Sequence, residues 1–171
     1  MSVSILTLCN PQHDVEYTDA LNQLDSKVRE ANAAPYVYPQ DEAFYRDNLA
    51  GKTSNILAIQ SGNVIGYAAL RSMDPWPTYL ERMDVSPALC GMMLIALVDP
   101  DWQGRGIGKQ LNLARLDIAK QLGFRYLFST VHPDNLPSIN NLRKLGFNVI
   151  AQKPMFSEQL LRSVLFLDLQ V

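Results

Sequence analysis

A chain of 171 residues suits a single domain with a proper core, and its 47% hydrophobic and 19% charged residues are those of a globular protein, not a disordered one. A formal net charge of −2 without a basic patch excludes a general affinity for nucleic acid, which depends on cations meeting phosphates. No apolar run is long enough to span a bilayer, and the N-terminus lacks the basic start and apolar core of a signal peptide, so no membrane partner and a cytoplasmic location are expected.

Residues 2–8 alternate apolar and polar side chains, as a half-buried first strand would, and Asn10-Pro11 ends it. Over residues 13–32, Val15, Leu21, Leu24 and Val28 form a partial helical stripe, with Asp14 as cap or first-turn acid. Residues 33–40 contain two prolines and two tyrosines, and Asp41-Glu42 then opens a short helix through Phe44, Tyr45 and Leu49 to Gly51. Residues 54–60 and 64–71 read as strands two and three, joined by the hairpin signal Ser61-Gly62-Asn63. Residues 73–89, with three prolines, Trp76, Tyr79, Glu81, Arg82 and Asp84, are too long for a simple turn. They are either a functional loop or a surface lid packed by its own aromatics.

Residues 91–98 are a continuous apolar run, short enough for a strand and expected to be covered on both faces. After Asp99-Pro100-Asp101, the segment Gln103-Gly104-Arg105-Gly106-Ile107-Gly108 leads into a helix with the inward stripe Ile107, Leu111, Ala114, Ile118 and Leu122, stopped by Gly123. Glycines at the mouth of a helix expose its first amide donors, which lack internal partners and sit at the positive end of the dipole; a phosphate fits there. A Walker loop is excluded, because Gln103 stands where it needs glycine and Gln110 where it needs Ser or Thr. A dinucleotide fingerprint fails too, since Leu111 or Lys109 replaces its third glycine.

The pattern that remains is Gln-x-x-Gly-x-Gly, carried by Gln103, Gly106 and Gly108 directly after a strand. Next comes a β-branched and aromatic run over 125–131, then HPDNLPSINNLRKLGF, with Asn135, Ser138 and Gly146-Phe147 at set spacings. Over residues 91–153 these two motifs, in this order and joined by one helix and one strand, closely resemble the GCN5-related N-acetyltransferase (GNAT) family. Residues 148–153 and 162–169 complete the chain as two strands. The implied architecture is the GNAT fold, an α/β domain whose central mixed sheet is flanked by helices, with strands 4 and 5 splayed at the cofactor site.

The resemblance implies acetyl-CoA as co-substrate. Its pyrophosphate would meet the backbone amides of Gly104, Arg105, Gly106, Ile107, Gly108 and Lys109, next to Gln103, because a Cβ on the loop would block close approach. Ala96, Leu97 and Val98 would pair with the pantetheine arm like an added strand, while Asn135 and Ser138 would hold it from the other side or simply cap a helix. The implied acceptor is a primary amine on a small molecule or peptide, and a second copy of the chain is a partner the layout accommodates. A neutral amine must form before attack, yet Leu94 and Ile95 occupy the family's fourth-strand acid positions and Thr130 its fifth-strand position. The base is therefore a water chain or a group from elsewhere, with Glu81, Asp84 and His132 as candidates and Glu81 and His132 favoured. Leu142 stands where many members place a proton-donating tyrosine.

Cys9 and Cys90 are too few for a disulfide framework and too isolated for a zinc site, so no metal is expected. Cys90 lies eight strand residues before Val98, on the order of 26 Å from the glycine turn at ~3.3 Å per residue, which argues against an acyl-cysteine route. The alternative to catalysis is a domain of the same fold that binds acyl-CoA as a sensor or interaction module.

Overall fold

The computed structural model describes residues 3–32, 36–38, 40–156 and 158–169. Of the expected elements, Ser2 at the start of the first strand, residues 33–35 and 39 of the connection, and residue 157 between the last strands lie outside that description. The described strands are β1 Ser4–Leu8, β2 Ser54–Gln60, β3 Asn63–Ser72, β4 Cys90–Val98, β5 Tyr126–Val131, β6 Asn148–Met155 and β7 Leu160–Asp168. They form one sheet ordered β1-β2-β3-β4-β5-β7-β6, antiparallel everywhere except between β4 and β5. The helices are α1 Pro11–Asp14, α2 Thr18–Glu30, α3 Glu42–Asp47, α4 Ile107–Gln121 and α5 Leu136–Arg143. None of the described helices is long and apolar enough to cross a membrane.

The two faces of the sheet are filled differently. On one, Leu21, Leu24 and Val28 of α2 join Tyr45, Leu49, Leu57, Tyr67, Ile95 and Leu97 in a buried cluster. Val15 is not part of it: a 3-10 turn over Val15–Tyr17 rotates the stripe, and Val15 stays 36% exposed. Asp14 does act at the helix start, where its carboxylate accepts from the Asn10 amide at 2.8 Å. On the other face, Ile107 and Leu111 of α4 pack on Ile56, Ala58, Ile65 and Ala68, while Leu116, Ala119, Ile139, Leu142 and Phe147 meet β4, β5 and β7.

The expected inward stripe of α4 is only partly right. Leu122 is 54% exposed, and the buried face includes Asn112 and Arg115, whose polarity hid them from an apolar pattern. Residues 73–89 fold onto the sheet instead of standing off it: Met73 and Leu80 are buried with Cys90, Met92 and Phe128, and the Trp76 indole donates to Leu80 O at 2.9 Å. β6 runs through Pro154 and extends beyond its expected end at 153, as an edge strand can.

Candidate functional site

The site begins where β4 leaves β5. The parallel pairing covers Cys90↔Tyr126, Gly91↔Leu127 and Met92↔Phe128, after which the strands diverge and the Ser129 hydroxyl reaches Met93 O at 3.4 Å. On its other side β4 stays paired to β3, but the register slips so that Leu70 faces Met93 and Ala69 faces Ile95, leaving Leu94 as a bulged residue. The bulge breaks the alternation of side chains: Leu94, Ile95 and Leu97 all pack toward α2, while Val98 packs toward α4. Ala96 is exposed, so the second half of the strand is not covered on both faces as its apolar run suggests.

Arg115, on α4, fills the gap made by the slip. Its Nη1 donates to Ala69 O at 3.2 Å and to Ile95 O at 3.1 Å, and Nη2 donates to Asn112 Oδ1. Burial pushes the guanidinium down to about 9, so it remains charged at neutral pH, a fixed cation bracing the bulge from behind.

At the end of β4, Asp99 caps a 3-10 turn over Pro100–Trp102 by accepting from Asp101 N at 2.9 Å, and both acids hold Lys27 of α2. Gln103 Nε2 donates to Val98 O at 3.3 Å, which ties the glycine turn to the strand end. Gly104 and Gly106 have φ of 75° and 79°, conformations that strain an L side chain. A Cβ on either would meet nothing within 4 Å. Gly108 has no such φ, and a Cβ there would sit at ordinary contact, 3.6 Å from Asn141 Nδ2, so only a ligand could demand glycine at that position. Among the described residues the amides of Gly104 to Lys109 donate no hydrogen bond, the first helical donor being Gln110 to Gly106 O at 3.1 Å. Arg105 lies over the Trp102 ring at 4.5 Å, and Lys109 is exposed.

α5 passes this turn at Asn141, whose Nδ2 lies 3.6 Å from the Cβ position of Gly108. Asn135 is its cap, accepting from Ser138 N at 3.3 Å, so the capping role is real and leaves the Asn135 amide donors available. Leu142, seven residues on, is 3% exposed in the core with Met93, Val131 and Phe147. The two helices thus meet at Gly108 and Asn141, and α5 packs on β4 and β5 through Ile139 and Leu142.

The opposite wall is aromatic and cationic. The rings of Tyr38 and Phe156 are 4.4 Å apart, those of Phe156 and Tyr79 5.0 Å, and those of Tyr36 and His132 5.3 Å. Burial pushes the Tyr79 phenol up, and Arg71 beside it pulls the other way. His132 follows β5 directly, and its Nδ1 accepts from the Asp134 amide at 3.2 Å, which puts the proton of the neutral ring on Nε2. Glu81 is 86% exposed and pairs with Lys153 at 3.6 Å, and Asp84 is exposed as well.

The profile of the acetyltransferase (GNAT) family matches residues 21–147, which include β4, the glycine turn and all of α5. The chain belongs to the GNAT acetyltransferases. It is 28% identical over 126 residues to a mycothiol acetyltransferase of Pseudarthrobacter chlorophenolicus, a match covering 68% of this chain but only 36% of that protein, so it spans little more than a third of that relative. Among solved structures it superposes on an N-acetyltransferase from Staphylococcus aureus Mu50 with a TM-score of 0.75 at 22% identity, over 99% of this chain and 100% of the other. A phosphinothricin acetyltransferase of the GNAT superfamily from Sinorhizobium meliloti, solved with acetyl-CoA, gives a TM-score of 0.71 at 20% identity, over 98% and 89%.

What this GNAT chain offers acetyl-CoA, the co-substrate of its family, is a good chemical fit: unpartnered amides for the pyrophosphate and an open strand edge for the amide-bearing arm. Cys90 is wholly buried, donates to Ser86 O at 3.2 Å, and has its thiol pushed up by burial, which makes it a poor nucleophile. Reading the sequence alone missed Arg115, Asn141 and the Leu94 bulge. A lone arginine in a helical stripe reads as solvated surface, and no side-chain pattern announces a register slip.

Proposed function

We propose that this chain is an acetyltransferase domain that moves an acetyl group from acetyl-CoA to a primary amine of a small molecule or peptide by direct attack in a ternary complex. The observation carrying the proposal is the run of six unpartnered amides, Gly104 to Lys109, at the mouth of α4 beside a β4 edge that β5 has left. The amides of Gly104, Arg105, Gly106, Ile107, Gly108 and Lys109 would hold the pyrophosphate; Ala96, Leu97 and Val98 would present the strand edge to the arm, and Asn135 and Ser138 would close on it from α5. Acetyl-CoA, when bound, supplies the activated acyl group. A backbone N–H at the Leu94 bulge would receive an oxygen gaining negative charge, and Arg115, bonded to Ile95 O, supports that stretch of β4.

The amine's proton needs a route out, because Leu94 and Thr130 offer no acid. In this reading His132, just past β5, and the exposed Glu81 are the groups that would relay it to solvent. His132 keeps its hydrogen on Nε2 while Nδ1 accepts from Asp134, so the ring is set to orient a water as donor. A water chain past His132 and Glu81 takes the proton without rearranging that bond. The lack of a carboxylate on β4 and β5 also favours a second reading, a non-catalytic acyl-CoA sensor.

Initial rates with acetyl-CoA and a broad amine panel, followed by thiol release, test both. Intersecting plots and a Cys90→Ala variant that keeps most of its activity are expected. Parallel plots with a trapped acetyl-cysteine would defeat direct transfer, and cofactor binding without thiol release would leave the sensor.

A further inference from the structure

Arg162 of β7 is 2% exposed and stands next to Ser163, which pairs with Val131 at the end of β5. Its Nη1 donates to Tyr36 O at 3.0 Å. Nε and Nη2 are both buried and find no acceptor among the described residues. No ion pair to Arg162 is formed among them either. Burial pushes its guanidinium down, and Tyr38 lies close enough to act on the charge.

The identity of the two empty nitrogens matters. Nε–H and one N–H of Nη2 point from the same edge of the planar guanidinium, at the spacing that matches the two oxygens of a carboxylate. The opposite edge is the one already used by Tyr36. A buried cation normally makes all its hydrogen bonds, because removing it from water without them is costly. A buried edge without an acceptor among the described residues therefore reads as reserved for a ligand. Side chains alternate along β7, so Arg162 shares the face of Val164, which packs with Phe128, Met155 and Leu94. Tyr36, bonded to Arg162 through its carbonyl, has its ring 5.3 Å from that of His132, and the Tyr38 ring lies 4.4 Å from that of Phe156.

We propose that Arg162 binds the carboxylate of the acceptor, and hence that the acceptor is an amino acid whose carboxylate docks on the Nε/Nη2 edge while its amine faces the open half of β4. This rests on the acetyl-transfer reading above and narrows the amine to an acidic class. Tyr36 and Tyr38 lie beside Arg162, the first through the bond to its carbonyl and the second close enough to act on the charge. Their rings, with Phe156, leave an apolar and aromatic surround for the rest of the molecule.

The test compares L-leucine, L-methionine and L-phenylalanine with their α-amides as acceptors. The amide's amine is the less basic, so chemistry alone favours the amide and any preference for the acid reports recognition. The parent is expected to prefer the acids in kcat/KM by about a hundredfold, as for loss of one partner of a buried charge pair. Arg162→Gln and Arg162→Met should reduce the ratio to near one, the change falling on KM for the acids. Equal use of acids and amides by the parent, or a preference that survives in Arg162→Gln, would overturn the assignment. Thermal melts separate this from failure of the acetyl-transfer reading. If nothing is turned over although acetyl-CoA binds, the acids should still raise the parent's Tm more than the amides do, and not that of Arg162→Gln; equal shifts overturn the proposal. Without ligand, Arg162→Met should melt about 2–4 °C higher than the parent, because it removes an unsatisfied buried charge. A lower Tm would show that Arg162 is satisfied within the fold, and would sink the idea.

Discussion

The two halves of β4 are made from the same kinds of residue and do opposite things. From Cys90 to Met92 the strand is hydrogen-bonded on both sides and packed so closely that a Cβ on Gly91 would lie 2.7 Å from Phe124 Cδ2 and 2.9 Å from Leu127 Cδ2. From Leu94 to Val98 it is bulged, held by β3 and Arg115 on one side, and parted from β5 on the other. Composition does not distinguish them; pairing does. A sheet that closes completely has no room for a ligand arm, and one that opens must brace the free stretch from behind, which here falls to a charged side chain from α4.

The largest effect should come at the mouth of the open half. Gly106→Glu puts a carboxylate into the space that a Cβ meets empty, among amides awaiting an anion, and forces a side chain onto a φ of 79°. Acetyl-CoA affinity should fall at least a hundredfold by calorimetry. Gly106→Asn, which tolerates that φ and adds no charge, should lose far less. A folded Gly106→Glu protein that binds with unchanged affinity would move the cofactor elsewhere and leave the open half of β4 without a function.

How much could be read from the letters follows the same division. The proposed cofactor side uses backbone, and backbone sites are written in glycines and caps close together in sequence: Gly106 and Asn135 stand where a positive φ and a helix cap favour those residue types, and Gln103 and Gly108 complete a short local spacing. The order of elements along the chain and the β2–β3 hairpin were legible for the same local reasons. The proposed acceptor side draws on side chains of residues 36–38, the 73–89 segment, β6 and β7, whose meeting depends on tertiary packing that no spacing records. Arg162 and Ser163 sit in a strand pattern as a polar pair among apolar residues, and whether the arginine finds acceptors is a property of its neighbours. Val15 and Leu122 misled for the complementary reason: both fit a helical stripe, but a 3-10 turn and a helix end carry them out to solvent.

A smaller effect sharpens the contrast between the halves. Gly91→Ala should cost about 1–3 kcal/mol in urea denaturation, the usual penalty of overpacking, because the contacted atoms are core side chains on both sides. Acetyl-CoA affinity of the folded fraction should not change. Ala96→Phe should do the reverse: an exposed position alters stability by only about 0.5 kcal/mol or less, while the ring crowds the open strand edge proposed for the pantetheine arm and weakens binding. If both variants lost stability and binding together, the strand would act as one unit and the division would fail.

The smallest effect is expected at Leu142, where many GNAT members carry a tyrosine that protonates the departing thiolate. Leucine donates no proton, and general acid help is typically worth ~10²–10⁴-fold. Here the side chain is 3% exposed and packed among Met93, Val131, Ile139 and Phe147, an apolar setting that offers a phenol no obvious partner. Coenzyme A is a thiol of ordinary acidity, so its thiolate leaves tolerably near neutral pH, and Tyr79 or a bound water can stand in as donor. Leu142→Phe and Leu142→Tyr should therefore behave alike, each losing some stability to overpacking and each keeping kcat within about threefold of the parent from pH 6 to 9. A Leu142→Tyr enzyme at least about tenfold faster than both the parent and Leu142→Phe would show that the hydroxyl reaches the sulfur after all, and that the chain works with a missing acid, not a substitute one.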